Sequence, residues 1–200
     1  MNYISDILYM ISTGLLVPVV VLLIFFFLRA LILIINFFAQ YRTAAKTSAL
    51  LSTTLDDLTV QNFDSLTDKL SAKSKAPAVV FLKKLLAAKG SKAMRAKILG
   101  EFEVAVAADI ATSKTLSKMG PMLGLMGTLI PMGPALVGLA TGDIASMAYN
   151  MQVAFATTVV GLFAAAIGFV TQTIKQRWYL RNLTSLEYVS QFMDENFPEK

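Results

Sequence analysis

The sequence predicts an all-α integral membrane protein with three transmembrane helices. Of its 200 residues, 56% are hydrophobic, which is a high share for a chain of this length. Apolar runs occupy roughly residues 9–32, 119–140 and 151–174. Because a helix rises about 1.5 Å per residue, each run can cross a hydrocarbon core of about 30 Å. The basic residues outside these runs all fall within 41–118 or 175–200, and a three-span topology places both segments on one side of the membrane.

The N-terminal segment, residues 1–40, contains the first span. Its opening residues include Asp6 and no basic residue, and no small-residue cleavage site follows, so we do not expect a secretory signal. Arg29 lies near the inner end of the span, where its side chain can anchor the helix among lipid head groups. The alternative is that Arg29 marks an ion path, as intramembrane charges often do.

The distribution of charge predicts the orientation. Under the positive-inside rule the N-terminus lies outside, 41–118 is cytoplasmic, 141–150 is a hairpin outside with Asp143 as its only charged residue, and 175–200 is a cytoplasmic C-terminal helix. The net charge of +5 therefore follows from membrane topology, and we predict no nucleic-acid partner. A bacterial-type inner membrane is the expected location.

The cytoplasmic segment is predicted to be helical, since Thr43–Leu58 is rich in Ala, Leu, Ser and Thr and Pro77 suits a first helical turn. A longer amphipathic helix starts after Ser91 and continues toward the second span, with Pro121 producing at most a kink. The shorter predicted helices are Thr43–Leu58, Asn62–Ala72 and Ala78–Lys89.

Small residues recur at steps of three and four along the second and third spans. Such spacing places them on one face of a helix, where they allow other helices of the same chain or of its copies to approach closely. Gly and Ala are also common in ordinary membrane helices, so the stripes alone do not identify a function. The predicted packing residues are Gly120, Gly124, Gly127, Pro131, Gly161 and Gly168.

The residue content excludes several kinds of chemistry. The chain has no Cys and no His, so we predict no disulfide, no imidazole base, no metal site and no cofactor. The Gly124–Gly127 stretch lies inside an apolar run without the GK[ST] ending of a phosphate-binding loop. No nucleophile–base pair occurs in the spans, which argues against an enzyme.

Hydroxyl groups are the main polar side chains of the second and third spans, and no carboxylate lies there. Thr128, Thr157 and Thr158 each fall deep within a span. A threonine in a membrane helix commonly bonds its own backbone carbonyl and does nothing else. The alternative is that some of these hydroxyls line a narrow polar lumen and bind a guest group there.

Two motifs resemble a known family. Residues Pro121–Thr128 read PMLGLMGT and resemble the P-x-L-G-L-x-G-T motif of the MotA/TolQ/ExbB proton-channel family. Residues Ala154–Leu162 read AFATTVVGL and resemble the A-L-x-T-T-A-x-G-L motif of that family. The resemblance covers roughly Lys118–Gln172, and the three-span topology is similar to that of the TolQ and ExbB branch.

The resemblance implies a homopentameric ring around a pore that holds single-span helices of an ExbD-, TolR- or MotB-like partner. The partner supplies one membrane aspartate that carries the proton. Thr128 and Thr158 would face this aspartate, with Thr157 as a secondary pore-lining candidate. The chain would then couple ion flow, driven by the proton motive force, to rotation of ring against core.

The sequence also departs from the family pattern. Val153 stands where many relatives carry a glutamate, and Gly168 stands where many carry a proline. The alternative function is therefore a non-conducting membrane scaffold that retains the packing stripes.

Overall fold

A computed structural model describes residues 2–56, 77–88 and 91–196, and these residues are almost entirely helical. Three helical stretches are long and apolar enough to cross a membrane, as the sequence predicts: Tyr3–Tyr41, Lys92–Thr141 and Ile144–Asn196. The predicted helix Asn62–Ala72 lies outside the described residues. In chain order the helices are α1 (Asn2–Gly14), α2 (Leu16–Asp56), α3 (Pro77–Ala87), α4 (Lys92–Thr141) and α5 (Ile144–Asn196).

The break between α1 and α2 is slight. The backbone N–H of Leu15 donates to the carbonyls of Ile11 and Ser12, and Val19 donates to Leu15, so the chain keeps its helical course. Pro18 has no N–H to offer to the carbonyl of Gly14, and this missing bond accounts for the break. The first apolar helix is therefore longer than the predicted span of 9–32.

Helix α4 begins and ends at capping residues. The Ser91 hydroxyl accepts the backbone N–H of Met94 at 3.3 Å, which caps the start. Gly142 has a φ of 75°, and together with Asp143 it closes the C-terminus by hydrogen bonds to Leu139 and Gly138. The Asp143 carboxylate then accepts the N–H of Ser146 and caps α5.

The connection between the second and third spans is accordingly a tight turn. Residues 144–150 of the predicted hairpin are helical and belong to α5. The assignment of 141–150 to the outside of the membrane stays a prediction.

The chain forms two compact units, and the first contains Met1–Ile35 and Thr112–Gln172. In this unit one side of α2 packs on α4 and α5 through two apolar clusters. Ala30 lies with Leu116 and Ala164 in one cluster, and Leu23 lies with Leu123 in the other.

The second unit contains Asn36–Ala111 and Thr173–Lys200. Its core joins α3 to α4 and α5, and Phe37 of α2 stacks on Trp178 with ring centroids 5.6 Å apart. The buried Arg95 forms an ion pair with Asp194 and donates to the carbonyl of Ala88. The buried core residues are Leu82, Leu85, Leu86, Ile98, Phe102, Leu186, Val189 and Met193.

Candidate functional site

The small-residue stripes of α4 and α5 pack against each other within one chain. All six predicted packing residues are buried. A β-carbon placed on Gly161 would lie 2.7 Å from the carbonyl oxygen of Gly120 and 2.9 Å from the Cα of Gly124. We call this contact the α4–α5 seam; it contains Gly120, Gly124 and Gly127 of α4 and Thr157, Gly161 and Gly168 of α5.

Helices α4 and α5 approach each other closely along the seam. This is expected in lipid, where helices associate by van der Waals packing rather than by exclusion of water. A β-carbon on Gly127 would lie 2.6 Å from the Thr157 side chain, and one on Gly168 would lie 2.7 Å from the Ser117 nitrogen. Gly124 is the exception, since its nearest neighbours would be 3.5 Å away, an ordinary contact distance. The glycines therefore differ in how much space is available for a larger side chain at their positions.

The three candidate threonines occupy different positions relative to the seam. Thr157 is only 7% exposed, and its hydroxyl donates to the carbonyls of Val153 and Ala154 in its own helix. Thr128 and Thr158 are half-buried. Only Thr158 reaches the other helix, with its hydroxyl 3.5 Å from the Gly124 carbonyl oxygen.

Thr128 and Thr158 also lie within about one helical turn of each other in depth. In an α-helix the carbonyl of Gly124 is the acceptor of the Thr128 N–H, and this same carbonyl is approached by the Thr158 hydroxyl. The Thr128 hydroxyl itself donates to the carbonyl of Leu125 at 2.7 Å. In the single chain, therefore, each of the three hydroxyl protons goes to a backbone carbonyl.

Helix α2 covers one side of the α4–α5 pair and leaves the opposite side uncovered by any described residue. Leu116 and Leu123 face α2, the seam residues face α5, and Thr128 lies on the remaining side of α4. Thr158 has the corresponding place on α5. We call this side the open face; it consists of Lys114, Lys118, Pro121, Leu125, Thr128 and Met132 on α4 and Phe155, Thr158 and Leu162 on α5.

Arg29 and Val153 lie apart from the open face. Arg29 is exposed, and its guanidinium lies 5.9 Å from the centroid of the Phe25 ring on its own helix. Both interpretations of Arg29, the head-group anchor and the ion path, stay predictions. The Val153 carbonyl accepts the Thr157 hydroxyl, and no group of three or more carboxylates that could hold a metal ion occurs among the described residues.

One polar cluster escaped the sequence analysis. Asp109 of α4 accepts a hydrogen bond from Lys175 Nζ at 2.8 Å and another from the Tyr179 hydroxyl at 2.6 Å, both on α5. Burial, the hydrogen bond to Asp109 and the charge of that carboxylate raise the pKa of the Tyr179 phenol well above its ordinary value of 10.0. The spacing could have indicated it, since Gly168, Thr171 and Lys175 follow at steps of three and four and therefore share one face of α5.

We expect this cluster to make the protein sensitive to alkaline pH. The folded Tyr179 keeps its proton at a pH where the unfolded chain loses it, so stability falls as pH rises above about 10 and is unaffected below that value. Tyr179→Phe should lower stability at neutral pH by about 1 kcal/mol and flatten this alkaline loss. Thermal unfolding in detergent between neutral and alkaline pH measures both effects. Tyr149→Phe is the matched control, because Tyr149 is exposed. An equal loss of stability at alkaline pH in Tyr179→Phe and in wild type would contradict the prediction.

Comparison with known proteins agrees with the two motifs. The sequence pattern of the MotA/TolQ/ExbB proton channel family matches residues 72–187, more than half of the chain and well beyond the two motifs. No individual curated protein gives a significant match. With both motifs placed on the paired α4 and α5 helices, the chain belongs to the MotA/TolQ/ExbB proton channel family.

Proposed function

We propose that this chain is the ring-forming subunit of a proton-driven motor in the cytoplasmic membrane. Five copies surround the single-span helices of an ExbD-, TolR- or MotB-like partner, with the N-terminus outside and the Lys-rich segments in the cytoplasm. The observation that carries the proposal is the open face, where Thr128 and Thr158 lie within about one helical turn of each other on two helices whose spans contain no charged side chain. Membership of a proton channel family supports the same function.

The absence of an acid in the spans defines what the partner must supply. Residues 119–140 and 151–174 contain hydroxyls but no carboxylate, so the chain has no group there that releases a proton near neutral pH. A proton carrier in the membrane must therefore come from another chain. One aspartate on a single-span helix is the simplest such carrier.

The hydroxyl geometry suggests how the aspartate is recognised. Each threonine hydroxyl has one proton and two acceptor lone pairs, and here the proton is donated to a backbone carbonyl. The free lone pairs can accept the O–H of a protonated aspartic acid. To bind the charged carboxylate, the hydroxyl must instead rotate and donate its proton, so the two protonation states use different arrangements of the same threonines.

The driving force is sufficient for such a cycle. One elementary charge crossing the membrane gains about 2.3 kcal/mol per 100 mV. A carboxylate in a low-dielectric pore favours its neutral form, so protonation from outside and release to the cytoplasm change which contacts the aspartate makes. Alternation between equivalent sites of the ring then converts proton flow into rotation.

Proton flux into vesicles tests the proposal. The chain is reconstituted with a synthetic leucine–alanine peptide of one span that carries one central aspartate, and the control peptide carries asparagine. Under an inside-negative potential, a trapped pH dye should report proton entry with the aspartate peptide and none with the asparagine peptide or with the chain alone. Equal flux with both peptides would contradict the channel function and favour the non-conducting scaffold.

A further inference from the structure

Two lysines share the stripe of α4 that contains Thr128. Lys114, Lys118, Pro121, Leu125 and Thr128 follow at steps of four and three, which places them on one side of the helix. Both lysines are exposed, and neither has an ion pair or hydrogen bond among the described residues. The open face therefore ends in two positive charges that no described residue compensates.

The neighbouring helices are still apolar at the depth of these lysines. Gly168 of α5 lies against the backbone of Ser113 and Ser117, so the adjacent Val170, 52% exposed, lies near the level of Lys114. On α2, Leu33 and Ile34 pack on the cluster that contains Leu116. The neighbouring Ile35 is 68% exposed at this depth.

Exposed Val and Ile side chains at this depth are expected to face lipid, where placing an ammonium group is costly. The ammonium groups of Lys114 and Lys118 avoid this cost if their side of α4 borders water. The open face then lines an aqueous vestibule at the cytoplasmic end of the pore, while Ile35 and Val170 face the lipid. In a ring, each copy adds two positive charges to the wall of this vestibule.

We propose that the vestibule binds an acidic segment of the single-span partner, on the cytoplasmic flank of its membrane helix; the inference rests on the proposed function. Charge complementarity selects an anionic occupant, because a ring of ammonium groups repels cationic segments. Lys118 and Lys114 lie 10 and 14 residues before Thr128, which corresponds to about 15 and 21 Å of helix. A partner whose aspartate lies beside Thr128 therefore carries its acidic residues about 10 to 14 positions toward the cytoplasm.

Two synthetic peptides test this pairing in nanodiscs of phosphatidylcholine, which supply no anionic head groups. Both have the same span with one aspartate; the first has glutamates about 10 to 14 positions from it, on the flank that lies at the cytoplasmic side of the chain, and the second has glutamines there. We expect the acidic peptide to bind the wild-type chain about tenfold more tightly at low salt, with a smaller difference at high salt. Fluorescence anisotropy of labelled peptides measures both affinities.

Lysine variants complete the test. The tenfold preference should vanish in Lys114→Gln/Lys118→Gln and persist in Lys114→Arg/Lys118→Arg. It should also persist in the charge-matched control Lys83→Gln/Lys84→Gln, whose lysines are exposed on α3.

The outcomes separate this inference from the proposed function. Equal binding of both peptides to wild type would overturn the acidic docking and leave the lysines as anchors for lipid phosphates. A preference that survives in Lys114→Gln/Lys118→Gln would overturn it as well. Failure of both peptides to bind any variant would overturn the partner-holding pore itself.

Discussion

Replacing both Thr128 and Thr158 by valine should abolish proton conduction while the chain still folds and assembles. Valine matches threonine in shape, so the α4–α5 seam keeps its packing, and each lost hydroxyl bond goes to a backbone carbonyl that already has a helical partner. The variant loses only the two neighbouring hydroxyls of the open face. A hydrogen bond to a charged group contributes about 1.5 to 3 kcal/mol. The loss of each hydroxyl should therefore lower the proton flux by about ten- to hundredfold.

Thr157→Val is the matched control for this experiment. Thr157 is adjacent in sequence to Thr158, but its hydroxyl is buried in the seam against Gly127 and bonds only its own helix. We expect this variant to conduct at close to the wild-type rate with the aspartate peptide in the vesicle assay. Wild-type flux in the Thr128→Val/Thr158→Val chain would refute the pore-lining assignment. Loss of flux in Thr157→Val alone would indicate that the proton path runs through the seam.

Replacing Gly161 by leucine should have the largest effect on stability. Its β-carbon would lie 2.7 Å from the Gly120 oxygen and 2.9 Å from the Gly124 Cα, and these are backbone atoms that cannot rotate away. Overpacking of this kind costs about 1 to 3 kcal/mol for a modest clash, and the remaining leucine atoms add to it. We therefore expect α4 and α5 to separate and the native oligomer to be lost.

Gly100→Leu is the matched control, because Gly100 lies in α4 with nothing near its missing side chain. It should leave the melting temperature and the detergent-solubilised particle size close to those of wild type. Gly124→Ala should also be mild, since its neighbours lie at ordinary contact distance. A native-sized, thermally stable Gly161→Leu particle would show that the seam is not required for assembly.

The sequence predicted the helical class well because its signals are local. Apolar runs of about 20 residues, the serine before α4 and the proline at the start of α3 each depend on a few adjacent residues, and the structure has helices at these places. Two short motifs also predicted the family, and the wider match over residues 72–187 confirms it. The polarity of residues 141–150 indicated a connection between two spans but not that α5 begins at Ile144.

The partner of each stripe could not be derived from the sequence. Steps of three and four place small residues on one face of α4 and another set on one face of α5, but they leave open which helix approaches them. Likewise, the acidic Asp109 and the basic Lys175 are 66 positions apart, and no local pattern links them. Only packing in space brings such residues within hydrogen-bond distance.

By itself, the sequence determined that this chain crosses a membrane as helices, that its spans contain hydroxyls without an acid, and that it resembles a proton channel family. Helix formation and membrane insertion depend on the nature and order of neighbouring residues, which a sequence contains in full. The tertiary structure alone decided that Thr157 faces the seam while Thr128 and Thr158 border the open face. That distinction depends on which sides of α4 and α5 are covered by α2 and by each other, and such coverage arises from contacts between residues far apart in the chain.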